Sequence, residues 1–392
     1  MVRRVMMLGC GLLTIGGGVG FSALAEAGSD GGLKPALAAK TPVQVVAAAQ
    51  PGEWIAIPAE DLLILELSPA VAVPLQDAAP EAASVETPKG GAAITAPSSP
   101  VAERDSITPR DIVVTGPVAP AIALQRVVIQ LIRPPYSQGW VSNIRLLAAQ
   151  HWWDGLAIVR VQDNYVVQWG DPDAAEPGLA RALPSHLQKM PPADYVAGKP
   201  GECGRFAEIC PPQSLGYFTT DAIKDAYADS AGFVAGWPVA VRGARSWPAH
   251  CYGTVGVGRE NSPDTGSGAE LYAVIGQAPR QLDRNIAVVG RVIEGMEHLS
   301  SLPRGTGDLG FYEKAEQRAR IVSIRRGSDV PDLPGFEYLS TTSPSFATYV
   351  QARANRQDAF YVQPAGGVDV CNVPVPVRRV AVPEVAPVKK RR

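Results

Sequence analysis

Short β-prone runs separated by turn residues recur along the chain after residue 125, and this pattern constrains the fold most strongly. The runs are rich in valine, isoleucine and aromatic residues and occupy residues 126–131, 156–162, 165–169, 252–257, 271–275, 286–292 and 320–325. An earlier apolar run at 62–67 predicts one more buried strand. Helical spacing is found at about 140–151 and 344–355, and one more helix is predicted near 220–229. Many short strands with few helices predict a mainly β fold built around a closed antiparallel barrel.

The first 25 residues have the features of a secretory signal peptide. Arg3 and Arg4 give a positive start, an apolar stretch runs to about residue 24, and Ala23-Leu24-Ala25 fits an A-x-A cleavage site. Two alternatives are a retained transmembrane helix and a lipid anchor on Cys10. No other apolar run reaches the length of a membrane span, so we expect no integral membrane segment after cleavage. The sequence therefore predicts export to the periplasm.

Differences in composition along the rest of the chain predict its division into one domain and several flanking segments. Residues 68–124 are rich in proline and alanine and cannot bury enough apolar surface to offset the entropy of ordering. We therefore predict a mobile insert within a domain that spans 54–327. The other predicted parts are a flexible mature N-terminus at 26–53, an enlarged loop region at 172–250, a C-terminal extension packed on the barrel at 328–376 and a basic, disordered tail at 377–392.

The charge balance and the missing motifs exclude several function classes. Lysine plus arginine total 36 against 38 for aspartate plus glutamate, a net charge of −2, whereas nucleic-acid binders usually carry a basic domain. The phosphate-binding patterns G-x-x-x-x-G-K-[ST] and G-x-G-x-x-G are absent, as is the G-x-S-x-G elbow of hydrolases. Closely spaced pairs of metal ligands are absent too. We expect no nucleic-acid partner, no cofactor and no metal.

Four cysteines remain after the predicted cleavage. An even number in an oxidising compartment predicts two disulfides, for which three connectivities are possible. We favour a local pair and a long-range pair, which are Cys203–Cys210 and Cys251–Cys371.

Arg160 is a charged residue inside an otherwise apolar strand. Because alternate side chains of a strand share a face, Arg160 shares its face with Val166 and Gln168 if the turn at Asp163-Asn164 preserves the register. A guanidinium, a carboxamide and an apolar side chain on one surface suit a site that holds a peptide carbonyl beside an apolar ring. The alternative is an edge strand that presents Arg160 to water.

Four ordered segments resemble the signature of one family. Residues 153–161 carry W-D-G-L-A-I-V-R-V and residues 165–171 carry Y-V-V-Q-W-G-D, similar to the cyclophilin pattern Y-D-G-x-x-F-H-R-V-x-x-x-F-x-x-Q-G-G-D. Residues 266–272 resemble the G-S-Q-F-F segment, and residues 282–296 resemble L-D-x-x-x-x-V-F-G-x-V-x-x-G-M. The chain thus resembles cyclophilin-type peptidyl-prolyl cis–trans isomerases, as a divergent, exported, bacterial-type member.

This resemblance implies an eight-stranded closed antiparallel barrel capped by two helices, with isomerase activity on X–Pro bonds. It implies a catalytic set of Arg160, the carboxamide of Gln168 and the pocket aromatic Tyr165. Leu271 and Tyr272 are interchangeable as the second pocket aromatic position. The substrate-binding residues that it implies are Val166, Leu271, Tyr272, Leu282 and Ile286.

Several positions depart from the family pattern. Gln281 replaces the usual tryptophan and Ile286 the usual histidine, which weakens the grip on substrate more than it removes catalysis. Glu270 replaces the usual glutamine, and residues 256–259 read G-V-G-R where the family has an M-A-N strand. We expect a monomeric isomerase that assists the folding of exported proteins, acting on unfolded or extended clients that contain proline. The alternative is a catalytically weak cyclophilin-like peptide-binding or chaperone module of the cell envelope. A third interpretation makes the Pro-rich insert and the basic tail tethers within the envelope.

Overall fold

The computed structural model of the chain describes residues 40–69, 124–198, 216–358 and 360–380. The predicted signal peptide, most of the Pro-rich insert, Cys203, Cys210 and the end of the basic tail lie outside these ranges. The described residues belong to one compact unit.

Strands outnumber helices throughout the described ranges. The helices are α1 Pro42–Ala47, α2 Gln138–Ala149, α3 Met296–Ser300 and α4 Pro344–Ala354. The strands are β1 Trp54–Ile57, β2 Leu62–Leu67, β3 Gln125–Leu131, β4 Ala157–Val161, β5 Val166–Gly170, β6 Ala197–Gly198, β7 Tyr217–Phe218, β8 Ile223–Lys224, β9 Ser230–Val234, β10 Trp237–Arg242, β11 Arg245–Pro248, β12 Thr254–Val257, β13 Leu271–Val274, β14 Val288–Glu294, β15 Ile321–Arg326, β16 Phe336–Leu339, β17 Val368–Asp369 and β18 Val377–Arg379.

Eight strands form the barrel, in the order β15, β2, β3, β14, β12, β13, β5 and β4, with every neighbouring pair antiparallel. A short ladder brings β4 to the chain beside β15. The Ile158 amide donates to the Ala319 carbonyl at 2.9 Å, and the Ile321 amide donates to the Leu156 carbonyl at 2.8 Å. The barrel is therefore nearly closed, which confirms the predicted mainly β, eight-stranded antiparallel architecture.

Helix α2 packs against β14 and β15 through the apolar stripe that the sequence predicts. Trp140, Ile144 and Leu147 are all fully buried, and burial of such side chains stabilises the fold by about 1.5–3 kcal/mol each. Ser137 stands at the N-cap position, but its side chain makes no capping hydrogen bond. The Gln138 side chain donates to the Tyr136 carbonyl just before the helix, at 2.7 Å. The second helix on the barrel, α3, packs on β3 and has only five residues.

The described part of residues 172–250, predicted as an enlarged loop region, contains a second antiparallel sheet. Its strand order is β6, β11, β10, β9 and β7. The helix predicted near 220–229 is wrong, because these residues form β8 and turns. Trp237, Val239 and Val241 alternate along β10 and join the barrel core, whereas Ala231 and Phe233 of β9 join a second hydrophobic core. Proline and glycine in these strands hid a periodicity that the buried residues nevertheless keep.

The second hydrophobic core joins the N-terminal segment, the second sheet and the C-terminal extension. Phe346 of α4 is fully buried there, with the rings of Phe233 and Phe218 at 5.0 and 5.5 Å. A disulfide between Cys251 and Cys371 links the extension to the chain just before β12. The extension is thus held by packing and by a covalent bond.

Two segments predicted to be flexible contain ordered elements. Helix α1 lies within 26–53, where Thr41 caps it and the Gln44 side chain accepts from the Thr41 amide at 2.9 Å. Strand β18 lies within 377–392 and pairs with β16. Composition could not predict α1 or β18, because the elements on which they pack are distant in the sequence.

Within the described ranges, no helix combines the length and apolar character needed to cross a membrane. The same residues contain no group of three or more side chains suited to hold a metal ion.

Candidate active site

Strands β4 and β5 place Arg160 directly opposite Gln168. The turn between them passes through Asn164, whose φ of 49° lies in the left-handed region that asparagine tolerates. A register shift between Ile158 and Arg160 interrupts the ladder, and such irregularities re-aim a side chain. Ile158 and Val161 point into the barrel core and are fully buried, whereas Arg160 lies on the surface of the strand pair.

Three acceptors hold the guanidinium of Arg160. Its Nε donates to the Leu309 carbonyl at 2.7 Å, its Nη1 donates to Gln168 Oε1 at 3.3 Å, and its Nη2 donates to Gln162 Oε1. Burial lowers the pKa of Arg160 from its ordinary value, although the side chain remains a cation near neutral pH. These bonds favour a positioned guanidinium over one that extends freely into water.

Aromatic rings border the same guanidinium. The ring centroids of Tyr165 and Phe311 lie 5.5 and 5.3 Å from its central carbon, within the range of cation–π attraction. Leu309 and Phe311 belong to the connection between α3 and β15, and both are exposed. The Arg160 head is thus fixed at the rim of a concave surface.

An apolar cluster forms one wall of a cavity of about 630 Å³ beside Arg160. Val166, Tyr272 and Val274 are buried in this cluster, and Tyr165, Leu282 and Ile286 pack against them while partly exposed. The predicted site residues that line the cavity are Arg160, Tyr165, Val166, Gln168, Tyr272, Leu282 and Ile286. The volume is within the range of ligand pockets, and its wall is suited to a small apolar ring.

Leu271 does not line this cavity, which corrects its prediction as a substrate-binding residue. It is fully buried in the barrel core, opposite Trp169 of β5, while Tyr272 lies opposite Gln168. Because successive side chains of a strand point to opposite faces, only one of the two can reach the cavity. The alternation assigns the cavity position to Tyr272.

A buried polar network lies behind the cavity wall. The hydroxyl of Tyr272 is 3.0 Å from Nε2 of His250, whose Nδ1 is 2.9 Å from Asp283 Oδ1. Burial raises the pKa of Tyr272 well above its ordinary value, so its hydroxyl stays protonated. Gly256 on β12 makes room for this phenol, since a Cβ there would overlap the Tyr272 ring and hydroxyl.

Asp283 connects that network to the second sheet. Its Oδ2 accepts from Trp247 Nε1 at 3.0 Å and from Arg280 Nε at 2.7 Å, and Arg280 also pairs with Asp225 at 2.8 Å. Sequence reasoning gave neither His250 nor Asp283 a role. Local spacing could not predict the contact between His250 and Asp283, because the two residues lie in separate segments.

Glu270 is a second site residue to which sequence reasoning gave no role. Its Oε2 accepts from Gln168 Nε2 at 2.9 Å, and it lines the cavity. Burial raises the pKa of Glu270 from its ordinary value. The sequence signal was its departure from the family glutamine.

Comparisons with known proteins found one family model and several solved structures that are similar to this chain. Residues 139–326 match the family model described as cyclophilin type peptidyl-prolyl cis-trans isomerase/CLD. A solved cyclophilin from Hirschia baltica is similar in structure, with a TM-score of 0.54 and 19% identity, covering 87% of this chain and 97% of its own. A cyclophilin type isomerase from Cryptosporidium parvum has a TM-score of 0.28 and 12% identity, covering 51% of this chain and 90% of its own. No curated protein matches the sequence.

Proposed function

The chain belongs to the cyclophilin family of peptidyl-prolyl cis–trans isomerases, and we propose that it rotates X–Pro peptide bonds in the cavity beside Arg160. The observation that carries the proposal is the placement of a positioned guanidinium at the rim of an apolar pocket. Isomerisation makes and breaks no covalent bond, so the site needs neither a nucleophile nor an acid–base pair.

The barrier that the site has to lower arises from amide resonance. Rotation of a peptide bond costs about 18–20 kcal/mol because the C–N bond has partial double-bond character. As the bond twists, the prolyl nitrogen becomes pyramidal and its lone pair becomes a hydrogen-bond acceptor. A donor aimed at that nitrogen stabilises the twisted amide more than the planar one, which is the requirement for catalysis.

Arg160 can supply this donor without losing its own position. A guanidinium carries five N–H groups. Three acceptors from the protein take three of them, so two remain for substrate. The half-buried setting excludes part of the water that would compete for these donors, which strengthens the interaction.

The apolar wall would bind the proline ring. Val166 and Tyr272 form its buried part, and Leu282 and Ile286 form its partly exposed edge. Seating the ring there fixes the prolyl side of the bond, so the preceding residue rotates relative to it. Water excluded by the ring cannot stabilise the planar ground state.

We further propose that the protein acts in the periplasm as a monomer, on exported clients that are unfolded or extended and contain proline. The support is the signal-like N-terminus together with the Cys251–Cys371 disulfide, because disulfides persist in oxidising compartments. Cell fractionation of the full chain and of a variant lacking residues 1–25 tests this location. Periplasmic recovery of the full chain alone supports it, and cytoplasmic retention of both contradicts it.

The residues at two family positions favour a second candidate function, a peptide-binding or chaperone module with weak catalysis. Ile286 lines the cavity where the family pattern has histidine, and Gln281 does not contribute to the lining. The cavity therefore keeps its apolar grip and has fewer polar groups to orient a peptide.

Proline-limited refolding of a model protein separates the two functions. With substoichiometric amounts of this protein, we expect the slow refolding phase to accelerate. The Arg160→Lys variant keeps the charge but loses the forked donor geometry, and we expect about a ten-fold or greater loss of acceleration. A slow phase that the parent leaves unchanged or retards would favour the binding module.

A further inference from the structure

Glu270 occupies a space that two glycines leave open. Glu270 is the residue immediately before β13, and β13 lies between β5 and β12 in the barrel. A Cβ at Gly170, the last residue of β5, would lie 2.7 Å from Glu270 Cγ, and one at Gly258, just after β12, would lie 2.9 Å from Glu270 Cβ. Any larger residue at either position would displace the Glu270 side chain. The fold thus directs this carboxylate across the strands toward Gln168.

Gln168 bridges the carboxylate and the guanidinium. Its Nε2 donates to Glu270 Oε2 at 2.9 Å, and its Oε1 accepts from Arg160 Nη1 at 3.3 Å. An ionised carboxylate can only accept hydrogen bonds, so the NH2 end of the amide must face Glu270. The oxygen end then necessarily faces Arg160. Ionised Glu270 therefore fixes the amide orientation that serves Arg160.

The surroundings of Glu270 make its ionisation sensitive to pH. Burial raises its pKa above the ordinary 4.5, the hydrogen bond from Gln168 opposes that rise, and three carboxylates on neighbouring segments add to it. These acids are Glu260, Asp171 and Asp264. The cations that line the same cavity are Arg160, Arg259 and Arg318. Arginines stay charged in this range, so the carboxylates alone change the local charge.

We propose that Glu270 is a positioning residue whose carboxylate orients Gln168 and, through it, Arg160, so that isomerisation in this cavity weakens in mild acid when Glu270 takes up a proton. The inference rests on the proposed isomerase function. It assigns Glu270 no contact with the reacting atoms. Among the described residues Arg160 forms no ion pair, so the effect passes through the amide.

Protonation removes the constraint on the amide. A protonated carboxyl group can donate as well as accept, so either orientation of Gln168 satisfies it. In the reversed orientation the NH2 group faces Arg160 and cannot accept from it. Because the pKa of Glu270 is raised, activity should begin to fall at a pH above the ordinary midpoint of a glutamate.

The pH dependence of kcat/KM tests this, with exchange NMR on a proline tetrapeptide at several pH values. For the parent we expect a fall of about ten-fold on the acid side, the scale of one charge-assisted hydrogen bond. Glu270→Gln should remove the acid fall. Glu260→Gln, a matched acid-to-amide change, should keep the fall and move its midpoint to lower pH. An acid fall that persists unchanged in Glu270→Gln would overturn the proposal.

A readout independent of activity separates this inference from the proposed function. The ¹⁵N signals of Arg160 Nε and the Gln168 side-chain amide should titrate with one shared midpoint above pH 4.5 in the parent. They should be flat in Glu270→Gln. If these signals titrate while the peptide exchange is never accelerated, the isomerase function fails and the coupling stands. If they do not titrate, the coupling is overturned whatever the activity.

Discussion

Arg160 receives its three protein acceptors from separate parts of the chain. Gln162 follows it in sequence, Gln168 lies on the next strand, and the Leu309 carbonyl comes from a loop nearly 150 residues later. Strand parity predicted the second of these from sequence, because a turn that keeps register places alternate residues on one face. The contact with Leu309 could not be predicted, since only the closed barrel brings that loop to β4.

The hydrogen bond between Tyr272 and His250 is a second residue-scale feature that sequence spacing could not show. Both groups are buried, and His250 has no exposure to solvent. Tyr272→Phe would leave His250 Nε2 without its partner. We expect the free energy of unfolding to fall by about 1–3 kcal/mol, the cost of an unsatisfied buried polar group.

Chemical denaturation measures this change, with Tyr165→Phe as the matched control. Tyr165 is partly exposed and its hydroxyl makes no hydrogen bond among the described residues, so its removal should alter the free energy of unfolding by less than about 0.5 kcal/mol. Equal destabilisation by the two variants would show that the His250 contact contributes nothing specific.

At the scale of elements, a glycine of β12 leaves room for the tyrosine of β13 that lines the cavity. Val255 and Val257 of β12 are buried in the barrel core, whereas Gly256 lies opposite Tyr272. The sequence indicated both strands, but it could not show which of Leu271 and Tyr272 faced the cavity. That choice depends on the pairing of β13 with β5, which fixes Tyr272 beside Gln168.

Gly256→Ala tests this packing. A Cβ at this position would overlap the Tyr272 phenol, so the ring must move into the cavity or β12 must shift. We expect destabilisation of about 1–3 kcal/mol, the usual cost of overpacking, together with weaker peptide binding. Thermal unfolding and peptide titration measure the two effects.

Gly52→Ala is the control for that substitution. No atom lies within 4 Å of a Cβ at Gly52, so we expect stability and peptide binding close to those of the parent. A stable Gly256→Ala variant with unaltered peptide affinity would contradict the assigned position of Tyr272.

At the scale of the whole molecule, the second sheet contributes side chains to both the barrel core and the second hydrophobic core. Strand β10 contributes to the barrel core, and β9 contributes Ala231 and Phe233 to the second hydrophobic core. The barrel was predictable because its strands keep clear apolar runs. The second core was not, because it gathers α1, β1, α4 and β18 from both ends of the chain, and no local pattern reports such distant partners.

Removing the Cys251–Cys371 disulfide should weaken the attachment of the extension. The bond closes a loop across a sequence separation of 120 residues, and long loops gain the most from a cross-link. For the double variant Cys251→Ser and Cys371→Ser we expect the free energy of unfolding to fall by about 2–4 kcal/mol. Denaturation of the parent with and without reductant should give the same difference, and unchanged stability in both tests would contradict it.

Catalysis by Arg160 in an apolar cavity is the central claim, and exchange NMR of a proline tetrapeptide tests it most directly. At neutral pH the parent should accelerate cis–trans exchange, and Arg160→Ala should lose about 100-fold of that acceleration, as when a transition-state donor is removed. Exchange that Arg160→Ala accelerates as well as the parent would contradict the role of Arg160. Peptide shifts perturbed by the parent without any acceleration would contradict the isomerase function itself.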